Sequence, residues 1–269
     1  MTYNDCSQEL VQWFSSNGRK VVVALSGGVD SAVVACAAKI ALNDNATAVT
    51  ANYKTLSKEE LSSAITLAKE IGISHKMIEY DEVSNPKFAK NDELRCYHCR
   101  TELGSRLIRE AAILNADLIV DGTHIDDVSD IRPGIRALRE YNVRSPLAEL
   151  GISKTQVRTL ARAFKLSIHD KPSNSCLASR IEKGSIVTYE KLERIEKAES
   201  IVKKLFCVRQ VRVRDHGDIA RVEVPSEDLS KLFDATKLGT MDTLLQNLGF
   251  RYITLDARGY RTGSMNPAS

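Results

Sequence analysis

The stretch KVVVALSGGVDSAVVACAAKIAL, residues 20–42, sets the fold through one change of period. Residues 20–26, KVVVALS, form a continuous β-branched run, as in a parallel strand covered on both faces. From Val29 onward the small apolar residues run long enough for a helix. Between the two lies Ser26-Gly27-Gly28-Val29-Asp30-Ser31. Paired glycines let the backbone turn tightly and aim amide hydrogens at an anion, and the helix behind them adds its positive N-terminal end. Ser26 and Ser31 can donate hydroxyls to phosphate oxygens, and Asp30 can hold a magnesium ion or its waters. The Walker pattern G-x-x-x-x-G-K-[ST] is absent. The plain alternative is a glycine-rich strand–helix turn with no ligand.

The same alternation extends on both sides. Upstream, DCSQELVQWFSSNG (5–18) sets Leu10, Val11, Trp13 and Phe14 on one helical stripe that ends at Gly18. Downstream come a strand (ATAVTANY, 46–53) and a helix (57–72) with Ser57 and Glu60 as a capping box and Gly72 as its stop. A strand at HKMIEYD (75–81), a helix over 100–115, a strand at DLIVDG (117–122) and a helix capped by Ser153 with Gln156 follow. This is an α/β pattern, a Rossmann-like parallel sheet with helices on both faces. After about residue 180 the order changes to a long helix (189–206), strands VRQVRVR and IARVEV joined through DHGD, a helical stretch and a last strand, RYITLDA. The short DHGD joint requires an antiparallel hairpin. The expected division is an N-terminal domain, 1–180, and a smaller α+β domain, 181–269, for substrate binding and oligomerisation, the boundary falling within Lys171–Gly184.

Composition narrows the setting. The chain has 269 residues, 43% of them hydrophobic, enough for real cores. No run approaches the roughly 18 apolar residues of a spanning helix, and MTYNDCSQEL has no leader pattern, so a cytoplasmic protein without a membrane partner is expected. There, six cysteines read as thiols or metal ligands rather than disulfides. Lys+Arg 38 against Asp+Glu 35 leaves a formal charge of +3, too little for a protein that coats nucleic acid.

The cysteines fall into two groups. Cys36 and Cys207 read as small buried hydrophobes, and Cys6 is uninformative. Cys96 and Cys99 in RCYHCR (95–100) and Cys176 in KPSNSCLASR have basic surroundings, where Arg95, Arg100 and Arg180 favour thiolates. A C-x-x-C pair can be half of a zinc site, a redox disulfide, part of an iron–sulfur ligand set, or two core thiols. A zinc site would draw on His98, His124 or His169.

The SGGVDS loop resembles that of the PP-loop ATP pyrophosphatases, in which it grips the pyrophosphate end of ATP while AMP passes to a substrate oxygen. The stretches DELRCYHCRTEL, DGTHIDDVSDIRPGIRAL, RSPLAELGISKTQVRTLA, DKPSNSCLASRI and VRVRDHGDIARVEV together resemble the LarE-type sulfur transferases, over nearly the whole chain. That resemblance implies ATP-dependent adenylation of a carboxylate of pyridinium-3,5-biscarboxylic acid mononucleotide and replacement of its oxygen by sulfur, in nickel-pincer nucleotide biosynthesis. In one branch of the family a single cysteine gives up its own sulfur. In the other, that cysteine and a C-x-x-C pair hold a [4Fe–4S] cluster. Cys96, Cys99 and Cys176 match the second branch, with Cys176 and Asp30 as the catalytic residues. ATP, Mg2+ and the cluster are the implied cofactors, and a sulfide donor and a homo-oligomer the implied partners.

Two sets of residues complete the expectation. Strand period puts Arg212 and Arg214 on one face, the next strand adds Arg221 and Glu223, CLASR supplies Ser179 and Arg180 beside Cys176, and Glu199 on the long helix is a candidate to orient a ribose or pyridinium. Guanidinium forks suit a substrate with a phosphate and two carboxylates, while a solvated basic sheet face is the alternative. Asn52, Tyr53, Gly122 and Thr123 end parallel strands, where such sheets bind ligands, and are candidates for adenine and ribose. Asp126 and Asp127 can assist magnesium or cap turns, with Asp127 the metal candidate. Rival readings are a cluster-dependent tRNA thiolase and an adenine-nucleotide sensor with structural zinc.

Overall fold

The computed structural model describes residues 3–128 and 133–261. Residues 1 and 2 of the N-terminal stretch, and 129–132 within the quoted 121–138, lie outside the described residues. The chain divides into two compact units, one of residues 1–82 and 94–173, the other of 83–93 and 174–269.

The first unit holds α1 (Tyr3–Asn17), β1 (Val21–Ala24), α2 (Val29–Leu42), β2 (Ala46–Asn52), α3 (Lys58–Ile71) and β3 (Ser74–Glu79). Its sheet runs β3-β2-β1-β4, and all its pairings are parallel. The α/β expectation therefore holds, and burial on both faces explains why β1 is apolar throughout. Val21, Val23, Ala46 and Ala48 enter one core with Leu10 and Phe14 of α1 and the buried side of α2. Val22, Val49 and Ala51 enter a second core on the opposite face. After α4 (Pro86–Ala89), a short helix in the other unit's segment, come α5 (Arg95–Leu114) and β4 (Leu118–Val120). The short helices α6 (Ile125–Val128), α7 (Pro133–Glu140) and α8 (Pro146–Glu149) lead to α9 (Lys154–Ala163). Ser153 and Gln156 form the full reciprocal capping box on α9. Because the chain winds outward from β1 to β3 and returns to place β4 beside β1, the order reverses between β1 and β4. A crevice opens at the carboxyl ends of those two strands.

In the second unit, α10 (Tyr189–Phe206) starts at the Thr188 cap and ends at Cys207 in left-handed conformation, φ +54. Strands β5 (Arg212–His216) and β6 (Ile219–Glu223) form the antiparallel hairpin, with Gly217 at φ +73 in its turn. After α11 (Ala235–Gln246), β7 (Tyr252–Leu255) joins β6 in parallel. Val211, Val213, Ala220 and Val222 pack with Ala198, Val202 and Phe206 of α10 and with Met241 and Leu245 of α11. Segment 83–93 belongs here through Asn91, fully buried, whose amide donates to the carbonyls of Glu182 at 2.8 Å and Ser185 at 3.0 Å. No helix among the described residues is long and apolar enough to cross a membrane.

Candidate active site

The crevice of the first unit is a cavity of about 200 Å³ lined by Ser26, Asp30 and Ser31 of the phosphate loop and by Asp121, Gly122 and Thr123 after β4. Tyr53, Leu56, Arg100, Leu103 and Asp127 complete its polar and apolar walls. Gly28 caps α2 without a side chain, so the amides of the first helical turn stay available to an anion. The loop is shaped from within: Ser31 Oγ accepts from the Ser26 amide at 3.1 Å and donates to the Gly28 carbonyl at 3.1 Å. Two glycines are demanded by contact. Gly27 sits at φ +82, and a Cβ there would strike the Glu60 carbonyl oxygen. A Cβ on Gly122 would lie 2.6 Å from the Ser31 nitrogen, so the β4 exit and the loop press together backbone to backbone.

Two lysines fix this loop, and neither was among the sequence candidates. Lys171 Nζ donates to the Gly27 carbonyl (2.9 Å), the Ser63 hydroxyl (2.9 Å) and the Glu60 carboxylate (3.0 Å), clamping the loop from behind. Lys154 Nζ reaches both oxygens of Asp30, at 2.5 and 2.6 Å. Nothing local marks these pairs, since 144 and 124 residues separate the partners. Asp121 was also not among the sequence candidates; it lines the cavity and accepts from the Thr123 amide and hydroxyl and from Ser145 Oγ.

Tyr53, Gly122 and Thr123 line the cavity just beyond the ends of β2 and β4, and Asp127 lines it from α6. Asn52 does not line it; its amide donates to Glu79 between β2 and β3. Asp127 also pairs with His124 at 3.2 Å, and Asp126 accepts from the Lys154 backbone amide.

The C-x-x-C pair is carried by α5, a helix that also lines the cavity. Cys96 and Cys99 lie near the start of α5, and the same helix contributes Arg100 and Leu103 to the cavity wall. Spacing of three keeps both thiols on one face. Around Arg100, burial opposes the charge, but Tyr53, Cys99, Tyr80 and Asp121 outweigh it and raise its pKa. The Tyr80 ring stacks on Tyr53 at 5.5 Å, and its hydroxyl is buried without a hydrogen-bond partner among the described residues. Burial, then the neighbouring Cys99 and Tyr53, push the Tyr80 phenol far up. All six cysteines are free of disulfides. Cys36 is half-buried against the core, and burial followed by Glu70 raises its thiol to about 11. Cys207 corrects the sequence expectation: it is exposed, because the left-handed cap of α10 turns it out of the core.

In the second unit the arginines are not a solvated face. Arg180, Arg212 and Arg214 are 1%, 3% and 5% exposed. Cross-strand pairing sets Arg212 opposite the fully buried Glu223, and Arg214 opposite Arg221. Arg214 donates twice to Glu223, and Arg221 pairs with Asp256 at 2.7 Å. Arg180 donates to Glu199 and to the carbonyls of Ser175 and Cys176, so it braces the turn that carries Cys176. Glu199 also accepts from the Val213 amide at 3.1 Å. Arg212 stacks over Tyr260, and burial with the Arg180 charge lowers its pKa to about 10. Among the described residues no three His, Cys, Asp or Glu side chains gather as a metal-holding group.

The NAD synthase family profile matches residues 4–108, which include the phosphate loop. A Synechocystis sp. protein of uncharacterised function is 42% identical over 259 residues, 96% of each chain. The pyridinium-3,5-bisthiocarboxylic acid mononucleotide synthase of Lactiplantibacillus plantarum is 35% identical over 92% of this chain and 89% of its own length. A tRNA-specific 2-thiouridylase of Methylobacterium nodulans is 30% identical, but across only 58% of this chain and 50% of that protein. Similarity of that extent to the L. plantarum synthase, together with a phosphate loop set at the switch point of a parallel sheet, places the chain in the LarE-type family of PP-loop, ATP-dependent sulfur transferases.

Proposed function

We propose that the protein adenylates a carboxylate of pyridinium-3,5-biscarboxylic acid mononucleotide and replaces an oxygen by sulfur, in nickel-pincer nucleotide biosynthesis. The observation that carries this reading is that one helix, α5, supplies both the C-x-x-C pair and two walls of the phosphate-loop cavity. The loop amides and Ser26 and Ser31 hold the pyrophosphate end of ATP, Tyr53, Gly122 and Thr123 border the nucleoside, and Arg100 meets negative charge on the α-phosphate side. The carboxylate oxygen attacks the α-phosphorus, pyrophosphate leaves, and the acyl-adenylate then loses AMP to a sulfur nucleophile. Asp30, with Asp127 across the cavity, is the carboxylate placed to hold magnesium, which neutralises phosphate charge when bound. Ser179, Arg180, Glu199, Arg212, Arg214 and Arg221 form the candidate site for the anionic substrate. Arg212, crowded by another cation, is the member that gains most from an incoming anion.

The sulfur source we propose is a [4Fe–4S] cluster held by Cys96, Cys99 and Cys176. The donor chemistry suits such a group, since all three cysteines are outside disulfides and at least partly exposed. Held by these three thiolates, such a cluster would supply sulfide to the activated carboxylate. Anaerobically purified protein given ATP, Mg2+, sulfide and the substrate nucleotide is expected to yield AMP and pyrophosphate, and a product heavier by one oxygen-to-sulfur exchange. Cys96→Ala, Cys99→Ala and Cys176→Ala should each lose most bound iron. ADP as product refutes the adenylating reading. Dehydroalanine at Cys176 after turnover, with iron-free protein fully active, refutes the cluster.

A further inference from the structure

We infer that Lys154 is a cationic gate on the phosphate loop: it occupies Asp30 until phosphate oxygens draw it away, so a divalent ion reaches Asp30 only together with a nucleotide. The inference rests on the reading of Asp30 as the magnesium-directed carboxylate.

One ammonium covers both oxygens of Asp30, at 2.5 and 2.6 Å, with side chains 25% and 26% exposed. A divalent ion and this ammonium cannot both take those oxygens, so metal alone must displace a cation already seated in a partly water-excluded place. The anchor of Lys154 is rigid while its tip is not. It is the first residue of α9, fixed by the Ser153 capping box and by its own amide, which donates to Asp126 at 2.8 Å. Beyond that anchor a flexible four-carbon stem carries a point charge suited to phosphate. Asp30 lines the cavity beside Ser26 and Ser31, so phosphates gripped by the loop arrive within the field of the same ammonium. Their negative charge offers Lys154 a second partner and frees the carboxylate for the ion that accompanies them. A merely structural ion pair would instead contribute to stability and leave metal affinity unchanged when removed.

The test uses full-length protein and Mn2+ as a paramagnetic stand-in for Mg2+, with free ion read by electron paramagnetic resonance, with and without α,β-methylene-ATP. Wild type should bind Mn2+ weakly alone and tightly with the analogue. Lys154→Met should bind Mn2+ alone about five- to tenfold more tightly than wild type, the low end of typical coupling between two ligands. Its affinity for pyrophosphate in EDTA, by calorimetry, should fall by a similar factor. Lys154→Gln should repeat both changes and serves if the Met variant does not fold, while Lys154→Arg should stay near wild type in Mn2+ affinity. An unchanged value in either measurement for the neutral variants overturns the inference. Asp30→Asn separates the two readings. If it loses Mn2+ binding while the neutral Lys154 variants match wild type, Asp30 stands and the gate falls; if it binds Mn2+ as wild type does, the role of Asp30 itself falls.

Discussion

Cysteine chemistry in this chain is decided by where each thiol sits. Cys36, raised to about 11 by burial and by Glu70, keeps its proton through the neutral range, about a hundredfold fewer thiolates than an unshifted thiol there. Because the shift is upward, reactivity should be absent near neutrality and appear only as the pH climbs toward that value. Iodoacetamide labelling followed by peptide mass spectrometry should modify exposed Cys207 and spare Cys36; labelling of both at equal rates near neutral pH would contradict the burial argument. The sequence pointed correctly to the loop residues because strand, glycine pair and helix stand side by side in it. Lys154 and Lys171 were invisible there, since each acts on a carboxylate or carbonyl brought near only by the finished sheet.

Elements with strong periodicity were legible. Strands β1 and β2 could be read because burial on both faces leaves mostly apolar and β-branched residues, and α3 and α9 because their caps stand in the expected places. The short helices α6, α7 and α8 were not, since four or eight residues are too few to show a period. Segment 83–93 was the clearest omission. It has a one-turn helix and no repeating pattern, and its place depends on the amide of Asn91 meeting backbone carbonyls about ninety residues later. Asn91→Ala should therefore cost about 1–3 kcal/mol, because it removes a fully buried amide that donates to three backbone carbonyls. Urea unfolding measures this, and a loss under roughly 0.5 kcal/mol would mean that water replaces the amide.

At the scale of the whole molecule, the second unit is built from two pieces of chain, 83–93 and 174–269. A cut at residue 180, natural from the change in sequence pattern, removes Asn91 and also separates Arg180 from Glu199. The fragment 181–269 is thus expected to lack a cooperative thermal transition, although it contains β5, β6, β7 and most of their core. A sharp melt from that fragment, followed by circular dichroism, would show that the hairpin core suffices without either contact. The family relationship, by contrast, was readable from end to end, because its signal is carried by many separated motifs rather than by one boundary.

The return of residues 83–93 to the second unit also has a cost in time. During synthesis that segment leaves the ribosome well before its partners, and at roughly 5–20 residues per second the wait is on the order of ten seconds. Throughout it, Asn91, fully buried in the finished protein, lacks the carbonyls of Glu182 and Ser185 that its amide meets. Chaperone capture of nascent chains arrested between residues 94 and 173, and its loss once the whole chain is out, is the cellular trace this architecture should leave.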